Sequence, residues 1–168
     1  MNYWKILGIT LTLLSGTLVN LYCIKQIKRR TEAIRQILLM LDYIEISIKY
    51  QNTDIKEIFK KMNMSNKFSY LVFIDNIIKL QGITDYSNIQ FNTQQMRNLF
   101  SLYSCELLSG FFSVLGKSDS EGQVSNCETY KEFFREELRR NEREEEKRIK
   151  TFSSIIFGIT LLILIIII

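Results

Sequence analysis

The sequence predicts an all-α fold, with two transmembrane helices flanking a cytoplasmic helical bundle. Three observations carry this. Charge is confined to the middle of the chain: Lys5 is the only charged side chain outside Lys25–Lys150. The ends are uncharged apolar runs of 19 and 18 residues, Ile6–Ile24 and Thr151–Ile168. Proline is absent and glycine sparse, so few points can break a helix. The expected organisation is an N-terminal anchor over 1–24, a helical domain with polar stalks over 25–150, and a C-terminal anchor over 151–168.

At 1.5 Å per residue the first run spans about 28 Å, close to the ~30 Å hydrocarbon core of a bilayer. Tyr3 and Trp4 stand where an aromatic belt would, and Lys5 caps the outer edge. The segment Asn20-Leu21-Tyr22-Cys23 lacks the small residues of a signal cleavage site, so the run reads as a retained anchor. The second run ends in four isoleucines and must be helical in lipid, where the backbone has to satisfy itself. Lys25, Lys28, Arg29, Arg30 and Arg35 follow the first run; Arg139, Arg140, Arg143, Lys147, Arg148 and Lys150 precede the second. The excess of cations beside the middle segment places it in the cytoplasm, with both termini across the membrane.

Within the middle segment an apolar seam runs from Ile27 through Ile34, Ile37, Leu41, Ile44 and Ile48, its last steps alternating three and four residues as on a packed helix face. No breaker separates this helix from the first anchor. Asn52-Thr53 ends it, and Thr53 is the expected cap of a short helix over 54–62. A third helix is expected over 67–80, closed by Gly82. Asp85, Ser87, Asn88 and Asn92 mark a turn-rich stretch. Helix returns over 93–115 with a break near Ser101.

Leu115-Gly116 then ends a helix, with Gly116 at the left-handed position. Ser118-Asp119-Ser120-Glu121 reads as a capping box, with Ser118 as N-cap and Glu121 three residues on. The last helix buries Val124, Cys127, Tyr130, Phe134 and Leu138. Between Leu138 and Ile149 no apolar residue occurs, so this stretch reads as a solvated stalk. It is supported by the i,i+4 pairs Glu136–Arg140, Glu144–Arg148 and Glu146–Lys150.

Candidate sites are few. Histidine is absent, which removes the commonest general base and metal ligand. Asp42 and Glu45 share a helix face, but Glu45 also lies four residues before Lys49, so a surface ion pair is expected. The Gly116-Lys117-Ser118 tripeptide lacks the upstream glycine of a phosphate-binding loop. The cysteines Cys23, Cys105 and Cys127 have no metal-like spacing and read as reduced thiols. Neither apolar run contains Asp, Glu, His, Lys or Arg, so an intramembrane enzyme is not expected. No catalytic, cofactor-binding or metal site is expected, and no nucleic-acid partner, because the net charge of +4 is mixed with acids away from the membrane ends. The membrane is the expected partner, and contact with anionic lipid at the basic exits is expected.

The chain resembles the stage III sporulation protein AB family along nearly its whole length. The resemblance rests on Gly16-Thr17 in the first anchor and Ile34-Arg35-Gln36-Ile37 leading to Leu41-Asp42-Tyr43-Ile44-Glu45-Ile46. It rests further on Leu115-Gly116-Lys117-Ser118-Asp119 and on the charged helix entering an anchor with Gly158. The chain departs from that pattern at Asp54, where proline is usual, and over 83–100. The resemblance implies a component of the channel assembly between mother cell and forespore, similar to the inner-membrane platform proteins of type II secretion. It implies a secretion-type ATPase, the companion stage III sporulation protein AA, as cytoplasmic partner, with mother-cell localisation. Other channel components and further copies of the chain are additional expected contacts. The competing expectation is a lipid- or curvature-sensing membrane organiser without an ATPase.

Overall fold

A computed structural model describes residues 3–51, 53–79, 86, 89–91 and 93–167, without the side chains of 4–6 and 167. Every regular element among them is helical: α1 (Tyr3–Gln51), α2 (Ile55–Asn63), a 3₁₀ turn (Asn66–Phe68), α3 (Phe73–Lys79), α4 (Gln94–Arg97), α5 (Leu102–Val114) and α6 (Ser120–Ile167). Asn52, Gly82, Asp85, Ser87, Asn88 and Asn92, expected to form turns, lie outside the described residues. So do Ile168 and the side chains of Trp4 and Lys5.

The chain divides into two compact units, one of residues up to 29 and from 141 onward, the other of residues 30–140. The first unit pairs the ends of α1 and α6. Both helices are long and apolar enough to cross a membrane, and their most apolar windows bury nothing inside the protein. Leu7, Leu14, Leu18, Leu21, Phe157, Leu162 and Ile166 are all exposed, which suits helices solvated by lipid.

The hydroxyls of Thr10, Thr12, Ser15, Thr17 and Thr160 donate to carbonyls three or four residues back on their own helix. Side-chain polarity is thereby satisfied where water would be missing. Two contacts between the helices are set by named polar or small residues. A Cβ added at Gly16 would lie 2.6 Å from Thr160 Oγ1, so glycine permits the approach. Ser153 Oγ donates to Asn20 Oδ1 at 3.0 Å.

The second unit is the helical bundle. Ala33, Ile34, Ile37, Met40, Leu41, Ile44 and Ile48 of α1 are buried along one face. At its centre Phe112 of α5 meets four other rings: Phe91 stacked at 5.0 Å, Phe59 stacked at 5.9 Å, and Phe73 and Phe111 edge-on at 5.8 and 5.3 Å. Such pairs are worth about 0.5–1.5 kcal/mol each beyond the area they bury, so this cluster joins α2, α3 and α5. Phe111 in turn meets Tyr130 of α6 at 5.5 Å.

Two helix starts differ from expectation. The helix expected over 67–80 is split, because Gln36 Oε1 of α1 accepts the backbone N–H of Tyr70 at 2.8 Å. That tertiary bond diverts a donor from the helical ladder, leaving a 3₁₀ turn capped by Ser65 before α3 begins at Phe73. The cap of α2 is Asp54 rather than Thr53, and the Asp54 side chain accepts no capping bond. Thr53 Oγ1 lies instead against Gln51 Oε1 at 3.4 Å. Near Ser101 the expected break is present: Ser101 caps α5 and accepts the Ser104 N–H at 3.0 Å.

Candidate functional site

The bundle's polar chemistry is concentrated where α6 meets its neighbours. On α6 the inward positions recur at 127, 131, 134 and 138, the 4-3-4 rhythm of a packed face. Cys127 and Phe134 fill two of them and are fully buried. Lys131 fills another. Its Nζ donates to Asp42 Oδ1 at 2.9 Å and also to Glu45 Oε2. The Lys131 and Glu45 side chains are 11% and 15% exposed and Asp42 is 48% exposed, so the outer carboxylate is half in solvent and the inner one is nearly withdrawn.

Burial by itself would lower the Lys131 pKa. The hydrogen bonds it donates to Glu45 and Asp42, with their charges, outweigh it and hold the ammonium above its ordinary value. Glu45 was expected to form a surface pair with Lys49, with Asp42 on the same helix face. The structure gives them to Lys131 instead, and Lys49 lies over the Tyr50 ring. One helical turn away, burial pushes the Cys127 thiol up to about 12, and the nearby Glu45 charge adds to the shift. The thiol is therefore neutral across the physiological range.

A second tie lies further along α6. Glu137, only 1% exposed at its side chain, accepts from Ser101 Oγ at 2.9 Å and Ser104 Oγ at 3.1 Å through Oε1. Its other oxygen takes a hydrogen bond from Arg140. Arg140 also sits over the Tyr103 ring at 5.8 Å. Arg140 was expected to pair with Glu136; the structure gives it Glu137, three residues away, which is the buried acid. Glu144–Arg148 pairs as expected, at 3.6 Å. Lys131 fixes α6 to α1, and Glu137 fixes it to the start of α5. A charge at a seam position of an otherwise apolar helix face was the signal for Lys131; Glu137 falls outside the 127-131-134-138 rhythm, and spacing gave no signal for it.

The loop before α6 was singled out from sequence. Leu115 is buried and Gly116 has φ +78°. Leu115 is extended, and Lys117 N–H donates to Val114 O at 3.2 Å, so Val114–Lys117 is a type II turn that needs glycine at its third position. The N-cap falls one residue later than Ser118, and the reciprocal bond of a capping box is not formed, because the third helical residue is then Gly122 and not Glu121. Asp119 Oδ1 accepts the Gly122 N–H at 2.9 Å and is the N-cap. Ser118 contributes its carbonyl, which accepts from Gln123 Nε2 at 3.0 Å. Gly122 was missed; its missing Cβ leaves room for the Asp119 carboxylate. Glu121 is exposed in the first turn of α6, where its charge suits the helix dipole. The seam residues Ile34, Ile37, Leu41, Ile44 and Ile48 are buried and lie in the core, separate from this loop's polar groups. Among the described residues no group of three Cys, Asp or Glu side chains is placed to hold a metal ion.

A family model for stage III sporulation protein AB matches residues 5–168. The chain belongs to the stage III sporulation protein AB family. No curated protein and no solved structure matches it. The family match covers both apolar helices as well as the bundle. This member of the stage III sporulation protein AB family is thus a sporulation protein whose two terminal helices suit association with a membrane.

Proposed function

We propose that the chain is a membrane scaffold in the channel assembly between mother cell and forespore. It couples a cytoplasmic secretion-type ATPase of the stage III sporulation protein AA type to the membrane complex. In this reading both terminal helices cross the membrane, the bundle lies in the mother-cell cytoplasm, and the chain works through binding surfaces rather than catalysis. One observation carries the proposal. α6 is a single helix of 48 residues that includes the polar stretch 139–148, and within the bundle Lys131 and Glu137 tie it to two other elements. A push on the bundle is thereby delivered to one stiff rod.

The test breaks the rod without touching either end. A flexible Gly-Gly-Ser-Gly insert after Glu144 abolishes transmission, because glycine-rich segments behave as coil. A helical insert of seven residues, about two turns, nearly keeps rotational phase and is tolerated far better. Sporulation efficiency and ATPase binding are measured for both. Equal function with the two inserts, binding intact, rejects coupling in favour of tethering. A bundle that binds no ATPase favours the lipid-organising alternative.

A further inference from the structure

Where the two apolar helices end, four lysines stand free. Lys25 and Lys28 on α1 and Lys147 and Lys150 on α6 are all exposed. Among the described residues none of their ammonium groups has an ion-pair or hydrogen-bond partner. Of the neighbouring arginines, Arg148 pairs with Glu144 and Arg29 donates to Gln26, while Arg30 and Arg143 are exposed as the lysines are.

The four also fall within one layer about 8 Å deep. The Ser153–Asn20 hydrogen bond registers the two helices. Counting from it at 1.5 Å per residue, Lys150, Lys25, Lys147 and Lys28 stand about 4.5, 7.5, 9 and 12 Å further out. Ile24 and Thr151, the last uncharged residues, stand at about 6 and 3 Å on the same scale. The lysines therefore begin at the apolar boundary and fill roughly the 5–8 Å layer that headgroups occupy on one side of a bilayer. Glu146, the first acid, comes only at about 10.5 Å, so cations precede acids along both helices.

We infer that these lysines form a binding collar for anionic phospholipid, taking the phosphodiesters of several headgroups at once. The inference rests on the reading that both helices cross the membrane. Setting topology needs only an excess of cations on one side. It does not need them unpaired, exposed and within one headgroup-deep layer, whereas headgroup capture does.

The test is lipid selectivity of the full chain in phosphatidylcholine vesicles. Spin-labelled phosphatidylglycerol and spin-labelled phosphatidylcholine report the fraction of lipid immobilised by the protein. Phosphatidylglycerol is expected to associate about three-fold more strongly at low salt, with the preference shrinking at high salt. Replacing all four residues (Lys25→Gln, Lys28→Gln, Lys147→Gln, Lys150→Gln) brings the ratio close to one. The matching arginine replacements keep it. Arg29, Arg30, Arg143 and Arg148 remain in both variants, so the charge asymmetry across the spans persists.

Equal association of the two lipids with the unaltered chain overturns the collar, as does undiminished preference in the glutamine variant. Carbonate washing separates this from the spanning reading. A chain stripped from the vesicles overturns that reading and the collar with it; a retained chain without preference overturns the collar alone.

Discussion

Lys131 on α6 and Asp42 on α1 lie 89 residues apart in sequence and 2.9 Å apart in space, with Glu45 bonded to the same ammonium. The three charges do not contribute equally. Lys131→Ala strands the nearly buried Glu45 and should cost about 2–4 kcal/mol, toward the lower end of what a broken buried pair costs because water reaches Asp42. Asp42→Asn should cost under about 1 kcal/mol. Denaturant unfolding of the detergent-solubilised chain, followed by near-ultraviolet circular dichroism of the aromatic cluster, orders the two. Equal losses would mean that Glu45 finds another partner.

The start of α6 gives a contrast between adjacent residues. Asp119→Ala removes the carboxylate that accepts the Gly122 N–H and should cost about 1 kcal/mol. Ser118→Ala should change stability by less than about 0.5 kcal/mol, since Ser118 acts through its carbonyl. Melting temperatures of the two variants decide it. A larger loss at Ser118 would restore the cap to that hydroxyl.

Gly16 permits the approach of the two apolar helices. Gly16→Leu drives a side chain into Thr160 and should destabilise the helix pair by about 1–3 kcal/mol. Adding Thr160→Gly should recover much of the loss, because it clears the same space. Thermal stability in detergent for the single and double variants measures the coupling. Gly158 meets nothing within 4 Å, so Gly158→Ala is the control expected to be silent.

Cys127 makes the bundle sensitive to alkali. Its folded pKa is raised from 9.0 to about 12, chiefly by burial. A group with a raised folded pKa contributes stability that is complete below the unfolded value and is lost as pH rises toward the folded one. Between pH 9 and 12 the unfolded chain therefore gains from ionising a thiol that the folded chain keeps neutral. At pH 11 the penalty is on the order of 2–3 kcal/mol. Cys127→Ala should lose less stability between pH 8 and 11 than the unaltered chain does. Parallel pH profiles would show that the thiol is not what titrates.

Topology has a direct test. A reporter active only in the cytoplasm, inserted at Ser87 (outside the described residues), should be active, because the cations flank the middle segment and Lys5 alone lies beyond the spans. Activity only from an extracytoplasmic reporter there would reverse the orientation and remove a cytoplasmic ATPase as partner.

The sequence by itself determined whatever depends on local period and on the distribution of charge along the chain. Two uncharged runs, a 3-4 seam from Ile34 to Ile48, a break at Ser101 and a glycine at 116 each state their own conformation, because helix burial and positive φ are settled within a few residues. Tertiary structure alone decided which polar groups meet. Gln36 lies 34 residues from Tyr70, yet it splits the helix expected over 67–80. Lys131 takes Glu45 from the expected Lys49 and binds Asp42 as well, and Glu137 takes Arg140 from Glu136. The cap moved from Ser118 to Asp119 because the Gly122 N–H is there to be satisfied. A polar group excluded from water bonds to whatever donor or acceptor the packing brings within about 3 Å, and spacing along the chain does not encode that choice.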